Sequence, residues 1–251
     1  MAGDEKFVGR GTETRTFVYF KVSARALQAF VPDEWEISPA SSGRSCDANL
    51  LAAFVDQATA LDAAGKPLPP LRNVLFEIPV RKCAGGAKAM MLFTGLSSGG
   101  PGPYGTNLPA AAHVERKVRH EPSESFVEES WALNAPDAAR VSLELQFVRG
   151  PTAIEEVESR VYSQVQPQFS RIYRVEQAAD LVWSTTETLR LRKFTFEAVS
   201  DKLTPLFDGS EQLISIVSVP VSSAPVLRCY PGSRRRRAGP QSPRIPARPC
   251  A

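Results

Sequence analysis

The chain has 251 residues, of which 43% are hydrophobic and 23% charged, a composition typical of a globular protein. The formal net charge is +3, but residues 231–251 hold six arginines and no acid, so residues 1–230 carry 24 basic and 27 acidic residues. This mildly acidic body argues against a nucleic-acid-binding surface, and no apolar stretch is long enough to span a membrane.

Short stretches rich in β-branched and aromatic residues predict strands along the whole body, separated by Gly, Pro, Asn and Asp turns. One short helix is expected over residues 24–31, since Ser23 is a favourable N-cap and Pro32 ends the segment. A further helical turn is expected within residues 176–185. The predicted strands, in chain order, are 16–22, 34–38, 48–56, 71–80, 87–95, 108–121, 125–133, 140–149, 155–163, 170–175, 189–199 and 212–221.

This many strands with little helix is typical of an antiparallel β-sandwich or β-barrel. A large barrel would enclose a cavity for a small ligand. We therefore expect residues 1–230 to form a single mainly β domain. Residues 231–251 (PGSRRRRAGPQSPRIPARPCA) lack periodicity and are predicted to be a disordered Arg/Pro-rich tail. The tail either contacts an acidic partner or a membrane or is dispensable, and we favour the second interpretation.

The cysteines predict neither a metal site nor a disulfide framework. Cys46, Cys83, Cys229 and Cys250 form no C-x-x-C pair, and the two histidines complete no zinc pattern. The N-terminal residues have no apolar core and so do not resemble a secretory signal. We therefore expect reduced thiols, a cytoplasmic protein and no metal or cofactor.

One predicted strand, over residues 112–120, carries an unusual density of ionisable groups. Strand alternation places four of them on one face: His113, Glu115, Lys117 and Arg119. If this face lines a barrel, Glu115 is a candidate acid or base, and Lys117 or Arg119 could hold an anion. Lys117 is also a candidate catalytic residue and His113 a candidate substrate contact. The alternative is a solvated face with ion pairs, which antiparallel sheets usually have. Arg116 interrupts the opposite face, so the sequence does not decide which face of the strand points inward.

Three further residues are candidates for a site. Glu77 lies in the apolar segment VLFEIPV, and burial would raise its pKa as a general acid requires; an outward-facing glutamate is the alternative. Arg72 just before it, or Arg116, could bind a substrate carboxylate in bidentate fashion, although arginines at strand starts are commonly only exposed. Tyr104, in PGPYG, lies either on a cavity rim or in a simple turn.

The order of several segments resembles the acetoacetate decarboxylases. The opening TFVYFKVSARALQAFVPDEWEIS is similar to that family's first strand, short helix and acidic strand. AMMLFTGLSSGGPGPYGTNLP is similar to its central segment, which leads through a glycine-containing loop to a proline. PQFSRIYRV and EQLISIVSVPV are similar to its later strands. The resemblance covers most of residues 16–230.

This resemblance implies a cone-like antiparallel β-barrel with a buried cavity, assembled as a homo-oligomer. In the decarboxylases a lysine directly after the matched proline forms a Schiff base with a keto-acid, and a second lysine follows it. Ala110 and Ala111 occupy these positions here, so an imine cannot form at either of them. Lys117 is the nearest lysine on the same strand, but it lies about 23 Å further along an extended chain.

The other functional positions of the family match less directly. The family's upstream glutamate falls at Asn49 or the following residue, and a further carboxylate falls near Asn73, where Glu77 could take its role. The substrate-binding arginine falls near Thr12, with Arg15 among its neighbours.

Two functions are compatible with these features. The first is an acetoacetate-decarboxylase-like lyase that acts on a small keto-acid or related organic acid without the usual lysine Schiff base. Its candidate catalytic residues are Glu77, Glu115 and Lys117, and its candidate substrate-binding residues are Arg72, Tyr104, Arg116 and His113. The second is a barrel that binds a small organic acid without catalysis.

Overall fold

A computed structural model of the chain describes residues 6–186 and 190–229. The predicted Arg/Pro-rich tail, residues 231–251, lies outside these ranges. In chain order the elements are β1 (Lys6–Lys21), α1 (Ala24–Gln28), β2 (Trp35–Ile37), β3 (Leu50–Asp62), β4 (Pro67–Leu68), β5 (Leu71–Lys82), β6 (Ala89–Ser97), β7 (Asn107–Pro109), β8 (Ala111–His120), β9 (Ser125–Asn134), β10 (Arg140–Val148), β11 (Ala153–Ser163), β12 (Ser170–Ser184), β13 (Leu191–Val199) and β14 (Gln212–Cys229).

Seven long strands close into a barrel. They pair in the order β5-β3-β1-β14-β12-β11-β6, and β6 pairs again with β5 to complete the ring. All of these pairs are antiparallel except β6 with β11, which is parallel and joins only Met90–Leu92 to Val161–Ser163. The predicted mainly β fold with an antiparallel barrel is therefore confirmed.

A second sheet, in the order β13-β10-β9-β8, covers one side of the barrel. The main hydrophobic core lies between the two layers, where Phe54 of β3 contacts both Trp131 of β9 and Phe196 of β13. Burying large aromatic side chains from both layers is the dominant stabilising contribution in such a contact. The second sheet thereby fixes one face of every barrel strand that it covers.

Barrel strands alternate between this core and the barrel interior. In β1, Val18 and Phe20 pack in the core between the layers, whereas Phe17 and Tyr19 pack inside the barrel with residues such as Leu51 of β3. Because successive side chains of a strand point to opposite faces, both faces of these strands are buried. The segments of β1 and β3 that lie here, residues 17–20 and 50–55, are accordingly apolar throughout.

The single helix found in the described ranges has the predicted start. The Ser23 side chain accepts a hydrogen bond from the backbone N–H of Ala26 at 3.3 Å, which satisfies a helix donor that has no partner within the helix. The helical turn expected within residues 176–185 is wrong, because β12 runs through this segment as one strand. Pairing with β11 and β14 on both sides outweighs the weak local preference.

The cysteines differ in part from the expectation of reduced thiols. Cys46 is disulfide-bonded, with a partner outside the described side chains, whereas Cys83 is free and exposed. Across residues 6–186 and 190–229, no helix is long and apolar enough to cross a membrane.

Candidate functional site

The barrel interior is apolar apart from a small group of polar side chains. Five of these side chains interact electrostatically or by hydrogen bonds and are called the interior cluster here: Tyr19, Glu77, Tyr104, Arg171 and Tyr173. They come from strands β1, β5 and β12 and from the loop between β6 and β7. Residues that are distant in sequence therefore meet only because the barrel closes.

Glu77 is the carboxyl group of this cluster. Its neighbours in β5, Phe76 and Ile78, belong to the core between the layers, so strand alternation directs Glu77 into the barrel. There it lies between its register partners Leu51 of β3 and Leu92 of β6. The side chain is 9% exposed and forms no hydrogen bond or ion pair with any other described residue.

This environment changes the acidity of Glu77. Burial raises the pKa of the Glu77 carboxyl from 4.5 to about 7, and the positive charge of Arg15 opposes the rise only in part. Arg15 is also ion-paired with Glu13 of the same strand, with an Nη2 to Oε2 distance of 2.5 Å. A carboxyl group with a pKa near 7 can both donate and accept a proton at neutral pH.

Tyr104 and Tyr173 form a hydrogen-bonded pair inside the barrel, with 2.9 Å between their hydroxyl oxygens. Tyr104 is buried, and its position is fixed by Ser163, whose hydroxyl donates to the Tyr104 carbonyl oxygen at 2.6 Å. Burial raises the pKa of Tyr104 well above its ordinary value, and Arg171 partly opposes this. Burial raises the pKa of Tyr173 as well. Both phenols are therefore neutral at neutral pH; one donates its O–H to the other, and the accepting phenol keeps an O–H that can donate to a ligand.

Tyr19 links the cluster to the loop between β2 and β3. Arg44 of this loop donates to Glu155 of β11 through Nη1 and Nη2, each at 2.7 Å. The Ser215 hydroxyl of β14 donates to the Arg44 carbonyl oxygen at 2.5 Å. Burial raises the pKa of Tyr19, and Arg44 opposes this rise. The loop is thus anchored to two barrel strands beside the cluster.

A cavity of about 220 Å³ lies at the place where the barrel closure is weakest. β11 leaves β6 after three paired residues, and residues 38–48 cover the gap. Side chains of this loop form one wall of the cavity, and Tyr19, Leu51, Pro79 and Met90 of the barrel form another. Glu77 does not itself line the cavity, but its register partner in β3, Leu51, does. The cavity therefore ends next to the interior cluster.

Three predicted site residues lie elsewhere. His113, Glu115 and Lys117 are on the exposed face of β8, at the edge of the second sheet. Lys117 Nζ lies 3.0 Å from Glu115 Oε1, and these side chains are 66% and 53% exposed. This is the solvated face with ion pairs that the alternative interpretation describes. The structure does not bring these residues to Glu77.

The two predicted carboxylate-binding arginines meet in a different network, between the barrel and the second sheet. Arg72 Nε lies 3.4 Å from Asp56 Oδ1, and Arg116 Nη1 lies 3.8 Å from Asp56 Oδ2. Arg116 Nε also donates to the buried Glu129 at 3.2 Å. Thr16 donates to the same carboxylate at 2.8 Å. Both arginines are thus paired with carboxylates of the chain itself.

No lysine of the chain lies inside the barrel. Every lysine of the sequence falls within the described residues, and none is buried. Lys202, the least exposed, donates through Nζ to the Phe93 carbonyl oxygen at 3.0 Å, and burial lowers its pKa. Lys88 lines the cavity, where its Nζ donates to the Pro39 carbonyl oxygen at 2.8 Å. Ala110 packs against the core between the layers.

The structure therefore places two of the predicted residues, Glu77 and Tyr104, in one site. The interior residues that the sequence analysis missed are Tyr19, Arg171 and Tyr173. A signal for the last two existed, because RIYRV alternates between Arg171, Tyr173 and Val175 on one face and Ile172 and Arg174 on the other. Nothing in that pattern tells which face is interior.

Comparison with known proteins supports the fold. No protein-family model and no curated protein sequence matches the chain. A solved structure of the enduracididine biosynthesis enzyme MppR, complexed with the condensation product of pyruvate and imidazole 4-carboxaldehyde, is similar over 88% of this chain and 87% of that one, with 12% identity and a TM-score of 0.53. An acetoacetate decarboxylase-like enzyme from Sphingomonas wittichii RW1 is similar over 92% and 95%, again with 12% identity and a TM-score of 0.53. The chain thus has the acetoacetate-decarboxylase-like fold.

Proposed function

We propose that this protein is an acetoacetate-decarboxylase-like lyase that acts on a small keto-acid, with its reaction centre inside the barrel and Glu77 as the acid–base group. The observation that carries the proposal is a buried carboxyl group without a hydrogen-bond partner among the described residues and with a pKa of about 7. Strongly perturbed groups of this kind in enclosed sites are frequently catalytic. The MppR ligand, a condensation product of pyruvate, supports a keto-acid as the substrate class.

Glu77 and the neighbouring phenols can perform a proton transfer beside a carbonyl group. The Glu77 carboxylate takes the proton from the carbon next to the carbonyl, the C–H electron pair forms the C=C bond of an enolate, and the carbonyl π electrons move to the oxygen. Neutral hydroxyls such as Tyr104 and Tyr173 stabilise such an oxyanion by donating hydrogen bonds. Protonated Glu77 returns the proton in the reverse direction. In a lyase reaction on a substrate such as acetoacetate, the bond to the carboxylate breaks instead, its electron pair forms the same enolate as CO₂ leaves, and protonated Glu77 donates its proton to the enolate carbon.

The lysine positions support a route without an imine. An imine requires a neutral amine, which enzymes obtain by desolvating a lysine or placing it near another cation. No lysine of this chain is buried, and the amine of Lys202 faces the carbonyl oxygen of Phe93. In the proposed route the electrons are accepted by the substrate's own carbonyl group, stabilised by hydrogen bonds.

Two measurements test this proposal. Pyruvate and acetoacetate are incubated with the protein in D₂O, and NMR follows deuterium exchange next to the carbonyl together with product formation. We expect Glu77→Gln to lower the rate by about 10²-fold or more, and Glu115→Gln, on the exposed face of β8, to leave it unchanged. Equal rates for wild type and Glu77→Gln would refute the role of Glu77.

Borohydride trapping tests the imine-free route. Wild-type protein treated with either keto-acid and borohydride should show no covalent adduct by intact mass. A reduced adduct mapped to Lys88 or Lys202 would contradict this part of the proposal, and Lys88→Arg would then show whether the lysine that lines the cavity is responsible.

A second candidate function is an organic-acid-binding barrel without catalysis. The observation that favours it is the combination of a cavity beside the interior cluster with alanine at the position matched to the family lysine. Such a protein would show a ligand-induced rise in melting temperature but neither exchange nor product formation in D₂O. Light scattering on the same samples tests the predicted homo-oligomer.

A further inference from the structure

We infer that Arg171 binds the carboxylate of the substrate, and that this residue, rather than Arg72 or Arg116, makes the site specific for organic acids. This inference rests on the proposed function, since it assigns a role within the same site. It concerns recognition, however, and can be tested by binding without turnover.

Arg171 is positioned by its strand beside the reactive groups. Arg171 and Tyr173 are two residues apart in β12 and therefore lie on the same face, and the Tyr173 hydroxyl is bonded to Tyr104 inside the barrel. The register partner of Arg171 is Val161 of β11, which packs against Tyr104. The Arg171 charge acts on both phenols. Glu77 acts on the same two phenols, so the cation and the acid–base group share these neighbours.

Arg171 has one buried guanidinium nitrogen without a hydrogen-bond partner and, unlike Arg116, which also has one such nitrogen, it has no carboxylate beside it among the described residues. The nitrogen is its Nε, and no ion pair joins its side chain to another residue of the described ranges. The other arginines considered for a site each have an internal carboxylate: Arg15 has Glu13, Arg44 has Glu155, Arg72 has Asp56, and Arg116 has Glu129. A buried donor without an acceptor is costly to the fold, and such a group in a native structure indicates a missing partner.

A substrate carboxylate would supply the hydrogen-bond acceptor that this guanidinium lacks. Arginine presents a planar fork of N–H donors that matches the two oxygens of a carboxylate. With the carboxylate at Arg171, the carbonyl oxygen of a short keto-acid would lie toward the hydroxyls of Tyr104 and Tyr173, and its adjacent carbon toward Glu77. The site should therefore select small keto-monocarboxylates over neutral carbonyl compounds of the same size.

The test compares two variants of the same strand. Isothermal titration calorimetry measures binding of pyruvate, of acetoacetate and of pyruvamide as the neutral analogue. Arg171→Gln should weaken binding of both acids by a factor of about 30 or more and leave pyruvamide binding unchanged. Arg174→Gln is the matched control, because Arg174 lies on the opposite, exposed face of β12 with Glu158 at 3.2 Å. It should bind both acids like the wild type.

Different outcomes of this test separate the role of Arg171 from the proposed function of Glu77. Equal affinity of wild type and Arg171→Gln for the acids would overturn the role of Arg171 while leaving Glu77 chemistry intact. If Arg171→Gln does not fold, Arg171→Lys keeps the charge but loses the fork, and it should still weaken acid binding about tenfold; full affinity would overturn the inference. Wild-type protein that binds neither acid would overturn this inference and the proposed keto-acid substrate together.

Discussion

Replacing Glu77 by glutamine removes the buried carboxyl group at nearly constant side-chain size, and its effect on stability should depend on pH. In the folded chain the pKa of Glu77 is about 7, compared with an ordinary value of 4.5. The folded state therefore binds the proton more tightly than the unfolded state. By linkage, this contribution to stability is fully present below about pH 4.5, decreases as the pH rises, and is lost above about pH 7.

The magnitude follows from the same two values. One pKa unit corresponds to about 1.4 kcal/mol, so the wild type should lose about 3 kcal/mol of unfolding free energy between pH 4 and pH 8.5 through this residue alone. Glu77→Gln has no titrating group at this position and should not lose it. Relative to the wild type, the variant should therefore become more stable by about 3 kcal/mol over this range.

Urea denaturation of both proteins at intervals from pH 4 to pH 8.5 measures this difference. The comparison cancels the titration of all other groups, provided that they are independent of residue 77. Glu176→Gln is the control, because Glu176 is exposed on the outer face of β12 and its replacement should change the unfolding free energy by no more than about 0.5 kcal/mol. A pH-independent difference for Glu77→Gln would refute the reasoning that burial raises the pKa of Glu77 to about 7.

Two other predictions concern the packing around the site. Tyr104→Phe and Tyr173→Phe should each lower the unfolding free energy by about 1 kcal/mol, since either change breaks the 2.9 Å contact between the two hydroxyls. In urea denaturation, the double variant should lose less unfolding free energy than the sum of the two single variants. Strict additivity would show that the contact contributes nothing to stability. Glu129→Gln should lower the unfolding free energy by about 3 kcal/mol, because it removes the buried carboxylate that accepts from Arg116 and Thr16 and leaves Arg116 only the more distant Asp56. Its exposed neighbour Glu128 should tolerate the same change within about 0.5 kcal/mol in the same assay, and a similar cost for both would contradict the role of the network.

Part of the candidate site could be predicted from the sequence. The single glutamate within VLFEIPV is a carboxyl group that is buried if its side of the strand faces the barrel interior. The structure directs it inward, because Phe76 and Ile78 occupy the core on the other side of the strand. Tyr104 lies in a loop with several glycines and prolines, and a loop of that composition carries no periodicity from which burial could be inferred. Its position depends on Ser163, 59 residues further along the chain.

The strand β8 shows why the remaining candidates could not be placed. Alternation correctly separates Glu115 and Lys117 from Arg116, but it assigns no direction to either face. The second sheet decides this, because β8 pairs with β9 at the sheet edge and turns Arg116 toward Glu129 in the space between the layers. Arg116 is half-buried there although it interrupts an otherwise apolar face.

The sequence by itself determined the local structure of this protein. Turn residues, β-branched segments and the Ser23 cap specify strands and one short helix, because these preferences act over a few neighbouring residues. Only the tertiary structure decided which of the two faces of each barrel strand encloses the site. Residues 17–20 of β1, 50–55 of β3 and 74–76 of β5 are apolar on both faces, so a period of two cannot distinguish the barrel interior from the core beneath the second sheet. Closure of β6 onto both β5 and β11 makes that choice and brings Glu77, Arg171 and the two tyrosines together.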